Sequence, residues 1–545
     1  MVMGELVQET QVLVIGSGPG GYAAAFRAAD LGLEVTMVDV AARPGGECLY
    51  RGCIPSKTLL YLSELLHDAH RAGNMGITFG EPRVDLARIR AWKEEVIDKL
   101  GSGLMTLSNK RGVQLIKGRA VFESSDKVRL TDSEVSHIKY RHAVLATGSK
   151  PAPFQGISFE RGSRIMDSAG ALDFADIPER LLILGGGYIA LEMGTVYASL
   201  GSKVTLAVRG DRLLRGADPD LAVPLIRRLK DLFAAIHFNT RASFIKEKEN
   251  QVEVGLEGEA EKPGQSYDRV LIATGRQPNT KDIGLENTKV KVNEKGFVVV
   301  DEQQRTSDPK IFAVGDLAGE PMLAHKAFRE GKVAAEAIAG QPSAFDVQAI
   351  PAVVYTDPQV AWCGMTEEEA RARKRAVRVE RFPWKFSGRA VTMNATNGLT
   401  KLVIDAETGR VLGVGVVGRD AEGLISEGAL AVEMAALAED VAASFHQPVY
   451  ANAGGKIVLC ASAELTTLQG LGSVIVPLLI GAAIILNTML NSVYERQREI
   501  GTMMAVGLAP MHIGALFVAE AAAYGTIGVV GGFIIGQGLG TLAGR

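Results

Sequence analysis

Two cysteines stand five positions apart in the segment GGECLYRGCIPSK, although the chain of 545 residues contains only four. Cys48 and Cys53 could bind a metal, form a structural crosslink or serve as a redox couple. Metal pairs usually need a second pair of ligands, and Cys363 and Cys460 are isolated singles. A crosslink over so short a loop constrains the unfolded chain little. The residue types therefore favour a redox pair, and no metal site is expected.

The residues that follow predict a reactive thiol. The segment CIPSKTLLYLSELLHDA has the pattern of a helix that starts at Cys53, and Pro55 falls in the first turn, where proline is tolerated. A thiol at a helix N-terminus and near a cation has a lowered pKa. Lys57, one turn after Cys53, supplies that cation.

The elements that position these thiols begin with a nucleotide-binding pattern. TQVLVIGSGPGGYAAAFRAADLGLEVTMVDV contains an apolar strand, a glycine turn, an alanine-rich helix and a second strand that ends at Asp39. Gly16 permits the tight turn, Gly18 lets the backbone approach a pyrophosphate, and Gly21 lets the helix pack on the strand. The helix N-terminus offers N–H groups to the phosphates. Asp39 is predicted to accept from a ribose hydroxyl.

A second copy of the pattern is ERLLILGGGYIALEMGTVYASLGSKVTLAV. Gly185 and Gly187 occupy the first two glycine positions, and Ala190 occupies the third, which tolerates alanine. The second strand is predicted to end at Val208. Two dinucleotide sites in one protein indicate one held cofactor and one exchanging cofactor, which is the layout of a flavoprotein reductase.

Three further segments fit this plan. AVLATGSKP (143–151) and VLIATGRQPN (270–279) are nearly the same, and each leads an apolar strand into Ala-Thr-Gly. They are predicted to be the crossings between the two nucleotide domains. IFAVGDLAG (311–319) ends a strand at Gly315-Asp316, and Asp316 is predicted to face the sugar-like chain of a flavin cofactor.

Composition excludes several classes of function. The net charge of −3 gives no basic field, so nucleic-acid binding is not expected. Four cysteines are too few for a disulfide-built secreted scaffold. The acidic N-terminus lacks the basic flank of a secretory signal. The enzyme portion is therefore expected in the cytoplasm.

Together, the cysteine segment, both glycine motifs, both Ala-Thr-Gly segments, IFAVGDLAGEPMLAHKAFREGKVAAE and VVYTDPQVAWCGMTEEEA resemble the dihydrolipoamide dehydrogenases of the pyridine nucleotide–disulfide oxidoreductase family over residues 8–446. The resemblance implies an α/β fold with two Rossmann-like domains and an α+β interface domain that forms a homodimer. The implied bounds are 1–150 and 276–345 for the FAD-binding domain, 151–275 for the NAD(P)-binding domain, 346–446 for the interface domain and 447–464 for a junction.

The implied reaction is the oxidation of dihydrolipoamide by NAD⁺, on the lipoyl domains of 2-oxo acid dehydrogenase complexes. By resemblance, Cys48 exchanges with the substrate and Cys53 forms a charge-transfer thiolate against the flavin. Lys57 lies near the reactive flavin nitrogen and pairs with Glu192. The residues assigned to FAD are Gly16, Gly18, Gly21, Asp39, Lys57, Thr147, Gly148, Asp316 and Ala324, and those assigned to NAD(P) are Gly185, Gly187, Ala190, Val208, Arg209 and Gly275.

The second dinucleotide site departs from the family pattern. An NAD-specific site usually has an acid where this chain has Val208, and Arg209 and Arg215 follow. A 2′-phosphate prefers arginine to a carboxylate, as in the NADP-using glutathione reductases, although both arginines could equally be solvated on a surface loop. NAD is retained as the expected cofactor, with weakened discrimination against NADP.

A catalytic element of the family is also missing. Family members cover the active site with an HPT…E element of the partner subunit, whose histidine is the acid/base. Here the chain reads AEDVAASFHQPVYANAGGK, in which His446 is displaced by two residues and no glutamate appears before Glu464. Loss of a positioned base typically costs about 10²–10⁴-fold. We therefore expect impaired activity, with His446 as a substitute candidate.

The C-terminal residues resemble part of an FtsX-like ABC-transporter permease. Residues 465–494 and 521–544 contain no charged residue, and each stretch exceeds the roughly 20 residues needed to cross a bilayer. The prediction for 465–545 is a transmembrane α-helical hairpin; buried core helices are the alternative. A gene fusion, a misassembled reading frame and a tethered enzyme fit the junction equally.

Two other functions fit the same residues. Arg209 and Arg215 favour a glutathione reductase-like disulfide reductase, whereas GEPMLAHKA and the helix of the second glycine motif favour the lipoamide enzyme. A non-catalytic or membrane-tethered flavin-binding fusion is the reading from another class, because the histidine–glutamate element is missing.

Overall fold

The computed structural model describes residues 7–154, 156–259, 262–444, 449–453 and 456–460. His446 and the whole of the predicted membrane hairpin, 465–545, lie outside these ranges. No helix within them is both long and apolar enough to cross a bilayer. The chain divides after residue 461, and every element below belongs to the part before that division.

A mainly parallel sheet forms the N-terminal layer. β1 pairs in parallel with β2 and with β6, β3 adds to β2, and an antiparallel pair, β5 and β4, extends the sheet beyond β6. The elements are β1 (Val7–Ile15), α1 (Pro19–Asp30), β2 (Val35–Asp39), α2 (Gly46–Arg51), α3 (Cys53–Gly73), α4 (Leu86–Lys110), β3 (Gln114–Lys117), β4 (Arg119–Ser124), β5 (Lys127–Thr131), β6 (His137–Leu145) and β7 (Ser149–Pro151).

The central strand of this sheet is buried on both faces. Val12 and Val14 pack with the alanines of α1, while Leu13 and Ile15 pack on the opposite face. None of the four is more than 5% exposed. A parallel strand covered on both sides reads as a continuous apolar run, which is why the sequence VLVI precedes the glycine turn.

A second parallel sheet follows, in the order β11-β10-β9-β15-β8, and the antiparallel strands β12, β13 and β14 form a separate sheet. β7 and β16, which follow the two Ala-Thr-Gly segments, pair antiparallel with each other. The elements are β8 (Ile165–Met166), α5 (Ser168–Asp173), β9 (Arg180–Leu184), α6 (Tyr188–Ser199), β10 (Lys203–Ala207), α7 (Pro219–Leu232), β11 (Ala235–His237), β12 (Thr240–Glu247), β13 (Val252–Gly258), β14 (Lys262–Tyr267), β15 (Arg269–Ile272) and β16 (Arg276–Pro278).

The chain then returns to the first sheet. β17 (Ile311–Ala313) pairs in parallel with β6, and a short 3-10 helix, Gly315–Leu317, comes next. α8 (Ala324–Ile338) packs against α1 so closely that a Cβ at Gly331 would lie 2.3 Å from the carbonyl oxygen of Gly20. The return places the residues after β17 beside the first glycine turn.

The last described part is an antiparallel sheet in the order β18-β19-β22-β21-β20, against which α11 packs. The segment KLVIDAETGRVLGVGVVG forms most of β21 and all of β22. The elements are β18 (Ala352–Val354), β19 (Gln359–Gly364), α9 (Glu367–Ala372), β20 (Val377–Pro383), α10 (Gly388–Thr392), β21 (Leu399–Asp405), β22 (Val411–Gly418), α11 (Ala421–Glu433), α12 (Ala438–Ser444), β23 (Val449–Ala453) and β24 (Lys456–Cys460).

A buried ionic cluster joins this sheet to the second nucleotide-binding region. The Lys401 side chain is 2% exposed, and its Nζ lies within 3.0 Å of carboxylate oxygens of Asp218, Asp220 and Glu367. A buried charge must be paired because its desolvation costs several kcal/mol. The cluster therefore fixes the start of α7 against the antiparallel sheet.

Candidate active site

One cavity of about 630 Å³ is lined by most of the residues that the sequence predicts to be functional at the first glycine turn and the cysteines. It lies between the first glycine turn, α2, α3, the two crossing strands and the start of α6. The sequence-predicted residues that line it are Gly16, Gly18, Asp39, Cys48, Cys53, Lys57, Thr147, Gly148, Glu192, Asp316 and Ala324. Gly21 lies behind the wall, where a Cβ would be 1.9 Å from the carbonyl oxygen of Gly16.

The first glycine turn forms a cradle at one end of the cavity. Gly16 has φ +100°, and a Cβ there would lie 2.3 Å from the carbonyl oxygen of Ala146. Gly18 is the N-cap of α1, and a Cβ there would have only one neighbour within 4 Å. Unpaired N–H groups at a helix N-terminus bind phosphates. The turn therefore fits a pyrophosphate.

Asp39 ends β2, as predicted, at the wall of the same cavity. Its Oδ2 accepts hydrogen bonds from the backbone N–H of Ser17 at 2.6 Å and from the Ser17 hydroxyl at 2.8 Å. Its Oδ1 accepts from the Ala41 N–H at 2.8 Å. An ionised carboxylate has about four acceptor positions, so the fixed carboxylate can still accept from a ribose hydroxyl.

Asp316 is held at the other side of the cavity by residues of the crossing strands. Its Oδ2 accepts from the Ser149 hydroxyl at 2.5 Å, and the Arg276 Nε–H donates to the Ser149 oxygen at 2.8 Å. Ser149 and Arg276 were missed by the sequence reasoning. Their signal is position, because each comes directly after an Ala-Thr-Gly segment.

The two cysteines lie on consecutive helices. Cys48 is inside α2, and Cys53 is the first residue of α3, as predicted. Both are free thiols, and both line the cavity. A hydrogen bond from Cys48 and the nearby Lys57 ammonium, against the effect of burial, lower the pKa of Cys53 to about 7. The same hydrogen bond, with burial, raises the pKa of Cys48.

The opposite pKa shifts of the two thiols give the two sulfurs different chemistry. Near neutral pH, a large fraction of Cys53 is thiolate, which is the nucleophilic and electron-donating form. Cys48 keeps its proton. A dithiol in which one sulfur is already ionised is suited to thiol–disulfide exchange and two-electron transfer.

A partly buried ion pair lies beside the thiols. Lys57 Nζ lies 2.9 Å from both carboxylate oxygens of Glu192, whose side chain is 3% exposed. This pair was predicted, and it is present. Tyr355 contacts both partners, since its backbone N–H donates to Glu192 Oε1 at 3.1 Å and its ring centroid lies 4.4 Å from Lys57 Nζ. Tyr355 lies in the quoted segment VVYTDPQVAWCG but was not singled out.

The second glycine turn has a backbone similar to that of the first. Gly185 has φ +137°, and a Cβ there would lie 2.2 Å from the carbonyl oxygen of Ala273. Gly187 is the N-cap of α6, with open space where a Cβ would be. Ala190 is fully buried. Gly275, at φ +137°, follows β15 on the same side of the sheet.

The end of the second strand differs slightly from the prediction. β10 ends at Ala207, one residue before Val208. The neighbouring strand β9 stops at Leu184, and the next N–H along the chain, that of Gly185, donates to the Ala207 carbonyl. Val208 is 4% exposed, so its side chain is part of the core.

Arg209 and Arg215 lie on the loop after Val208, and both are exposed. Arg209 precedes Gly210, and the guanidinium of Arg215 lies against Gly210, where a Cβ would be 2.1 Å from its Nη2. Arg215 is also 4.0 Å from Asp211. The strand end is therefore followed by Val208 and the exposed Arg209, and the exposed acid of the loop, Asp211, comes two residues after Arg209.

Two further predictions concern His446 and a metal site. His446 lies outside the described residues. Within the described ranges, no group of three or more histidine, cysteine, aspartate or glutamate side chains is arranged to hold a metal ion.

The sequence matches known families over most of its length. Residues 10–331 match the family described as pyridine nucleotide-disulphide oxidoreductase, and residues 350–454 match the dimerisation domain of that family. Residues 472–543 match the C-terminal part of FtsX-like permeases.

Curated relatives and solved structures agree with that match. The chain is 44% identical over 440 residues to a dihydrolipoyl dehydrogenase of Vibrio parahaemolyticus, covering 80% of this chain and 92% of the relative. It is 41% identical over 447 residues to that of Geobacillus stearothermophilus, covering 82% and 94%. The structure of the HOCl-induced flavoprotein disulfide reductase RclA from Escherichia coli is 28% identical, with a TM-score of 0.69, and covers 79% of this chain and 94% of its own. LpdA from Mycobacterium tuberculosis is 25% identical, with a TM-score of 0.73, and covers 79% and 95%.

Proposed function

The chain belongs to the pyridine nucleotide-disulphide oxidoreductase family, and from this premise we propose that it oxidises protein-bound dihydrolipoamide to lipoamide with reduction of NAD⁺. It is an enzyme of the flavin-dependent disulfide oxidoreductase class, and its cofactors are FAD and a nicotinamide dinucleotide. The observation that carries the proposal is the thiol pair beside the Lys57–Glu192 ion pair in the cavity of the first glycine turn.

FAD fits the residues that line this cavity. The first glycine turn and the N-terminus of α1 would hold its pyrophosphate, Asp39 its ribose and Asp316 its sugar-like chain. Thr147, Gly148 and Ala324 line the same wall. When bound, FAD supplies the carrier that accepts two electrons from a dithiol and gives them up as a hydride.

The protein groups perform the sulfur chemistry. In the oxidised enzyme, Cys48 and Cys53 form a disulfide; a dihydrolipoyl thiolate attacks Cys48, and Cys53 leaves as the thiolate. The second dihydrolipoyl thiol then displaces Cys48, which releases lipoamide and leaves both cysteines reduced. Two electrons leave the pair when the disulfide forms again, and the balance is dihydrolipoamide plus NAD⁺ giving lipoamide, NADH and a proton. The Lys57 ammonium stabilises the Cys53 thiolate.

Steady-state kinetics of the full-length protein test this proposal. We expect Cys48→Ser and Cys53→Ser to lose dihydrolipoamide oxidation while the protein still binds FAD. Cys363→Ala is the matched control, because Cys363 is buried in β19, away from the cavity. Full lipoamide turnover by Cys53→Ser would contradict the proposal.

The proposed partners follow from the same family. We infer a homodimer through the dimerisation domain, with lipoyl domains of 2-oxo acid dehydrogenase complexes as substrates. The proposed division is an FAD-binding domain (1–150 and 276–345), an NAD(P)-binding domain (151–275) and an interface domain (346–446). The turnover number should be low relative to the family, because its histidine–glutamate element is replaced and His446 is displaced.

A glutathione reductase-like activity is the second candidate. The observation in its favour is the pair of exposed arginines, Arg209 and Arg215, on the loop after β10. Glutathione disulfide reduction with NADPH, measured in parallel with lipoamide oxidation, separates the two substrates. A third candidate, a flavin-binding fusion without disulfide turnover, would reduce dyes with NADH but fail in both assays.

We further propose that residues 465–545 attach the enzyme portion to a membrane on its cytoplasmic side. The support is the absence of charge over 465–494 and 521–544 and the match to FtsX-like permeases. Membrane fractionation checks it: the full-length chain should sediment with membranes, and a chain truncated at residue 461 should stay in the supernatant. Equal solubility of the two would contradict the attachment.

A further inference from the structure

Lys57 stands between two cavities. It lines the cavity of the thiols and also a second cavity of about 390 Å³, and no other described residue lines both. Its side chain is 30% exposed. Lysine is a long, flexible and strongly hydrated cation, so something must keep its ammonium on the side of the thiols.

Tyr355 is placed to do this. It follows β18 and lines the second cavity. Its ring centroid lies 4.4 Å from Lys57 Nζ, within the distance at which an aromatic face attracts an ammonium. We propose that Tyr355 is a positioning residue whose ring holds the Lys57 ammonium on Glu192 and beside Cys53.

The contact has two separable parts. The backbone N–H of Tyr355 donates to Glu192 Oε1 at 3.1 Å, whereas the ring acts on Lys57. Glu192 is therefore fixed from one side by the backbone, and Lys57 is fixed from two sides, by the carboxylate and by the ring. Removing the side chain leaves the backbone bond in place but removes both the ring's contact with Lys57 and the hydrogen bond between the Tyr355 hydroxyl and Glu422. Tyr355→Phe removes only the second of these.

The backbone of this loop is anchored independently of the ring. The Thr356 hydroxyl donates to the Pro358 carbonyl at 2.8 Å. Asp357 accepts from Arg228 Nε at 3.2 Å, and it lies 3.3 Å from His67 Nδ1 and 3.5 Å from Arg71 Nη2. A substitution of the Tyr355 side chain is therefore compatible with the native loop.

The charges around Cys53 explain why the position of Lys57 matters. Besides the hydrogen bond from Cys48, the Lys57 ammonium lowers the pKa of Cys53, while Glu192 raises it. If the ammonium moved toward the second cavity, the carboxylate would dominate and the thiolate would be less stable. The Tyr355 ring itself stays neutral in the working range, because burial, with Glu422 and Glu192 close by, raises its pKa to about 12.

This inference rests on the proposed redox role of Cys53, and its test separates the two. The two-electron-reduced, FAD-loaded full-length protein is titrated with pH while the long-wavelength thiolate absorbance is recorded. We expect Tyr355→Leu to raise the midpoint by about 0.5–1 pH unit and to lower kcat about three- to tenfold, with KM for NAD⁺ within about twofold. Tyr355→Phe should restore the wild-type midpoint.

The matched control is Phe386→Leu, which removes an exposed ring whose centroid lies 4.9 Å from Lys385 Nζ. It should leave the midpoint unchanged. If Tyr355→Leu does not fold, as judged by circular dichroism, fluorinated phenylalanines at position 355 replace it, since each fluorine weakens the ring's attraction for a cation without changing its shape.

The outcomes are distinct. A wild-type midpoint in Tyr355→Leu, or no trend with fluorination, overturns the role of Tyr355 and leaves the redox pair intact. A wild-type protein without any thiolate band would overturn the redox role of Cys53 itself. A raised midpoint in Tyr355→Leu together with a normal one in Tyr355→Phe supports the positioning role.

Discussion

In the first dinucleotide turn, Gly16 has φ +100° and would place a Cβ 2.3 Å from the carbonyl of Ala146; in the second, Gly185 has φ +137° and would place it 2.2 Å from the carbonyl of Ala273. In both turns a positive φ brings the glycine against a carbonyl oxygen, yet the ends of the following strands differ. The first ends at Asp39, which is fixed by Ser17. The second is followed by the buried Val208 and a loop with exposed arginines.

The difference between the two strand ends indicates that a glycine turn by itself accounts only for phosphate binding, and that the residues around it determine how the rest of the nucleotide is held. In the first region, the fixed acid Asp39, Asp316 and the two helices that carry the cysteines line a cavity of about 630 Å³, which suits a cofactor that stays bound. In the second region, the strand end is buried and the residue after Val208, Arg209, is exposed, which suits a nucleotide that exchanges and whose choice depends on surface charge. Four predictions, each with its own experiment, test the account of these two regions.

The largest effect is expected from alanine in the two turns. Gly16→Ala forces a Cβ against the Ala146 carbonyl and should yield protein without flavin. Gly185→Ala should retain the flavin but lose reduction of NAD⁺ by more than about 100-fold, because the strain lies in the other site. Absorbance spectra and NADH formation measure the two losses. Loss of flavin in Gly185→Ala, with a native circular dichroism spectrum, would break the contrast.

A smaller effect is expected at the fixed acid. Asp39→Ala removes the carboxylate that is bonded to Ser17 and that we assign to the ribose, and the affinity for FAD should fall by about 10- to 100-fold. Reconstitution of the apoprotein with FAD, followed by fluorescence quenching, gives the dissociation constant. Glu34→Ala is a matched control, because Glu34 is an exposed acid just before the same strand. An unchanged affinity for FAD would remove Asp39 from the site.

A more modest change is expected at the exchanging site. Arg209→Ala should lower kcat/KM for NADP⁺ by about tenfold, because a charge-assisted bond to the 2′-phosphate is lost, and it should leave kcat/KM for NAD⁺ within about twofold. Arg241→Ala serves as the control, since Arg241 on β12 is exposed and paired with Glu257 on β13. A strong NAD⁺ preference that Arg209→Ala does not alter would show that the arginine is only solvated.

The smallest effect is a shift in titration. Cys53 should change from thiol to thiolate across about pH 7. Its pKa is lowered mainly by the hydrogen bond from Cys48 and to a smaller extent by Lys57. The thiolate therefore predominates above that pH and is lost below it. In Cys48→Ala the bond is absent, so the midpoint should move upward. The thiolate absorbance follows both titrations, and a midpoint that stays near 7 in Cys48→Ala would contradict the assigned cause.

Local patterns predicted the parts of the site that lie within one element. The start of α3 at Cys53 and the end of β2 at Asp39 follow from short-range rules about helix termini and apolar runs, and both are present. The predicted end of β10 was wrong by one residue, because the true end depends on where the neighbouring strand β9 stops. The ion pair of Lys57 with Glu192 came only from family resemblance, since no local pattern links residues so far apart.

The contacts that were missed are all between distant segments. Ser149, Arg276 and Asp316 meet because the two crossing strands pair with each other and β17 returns to the first sheet. Tyr355 reaches Lys57 because the antiparallel sheet packs against α3 and α6. The spacing of residues along the chain does not predict such tertiary contacts.

The most direct test of the redox pair is a count of electrons. The FAD-loaded full-length protein is titrated anaerobically with dithionite to complete reduction. If Cys48 and Cys53 form a disulfide that exchanges electrons with the flavin, the wild type takes up twice as many electrons per flavin as Cys53→Ser. Equal uptake by the two proteins would contradict the claim that these sulfurs are redox partners of the cofactor.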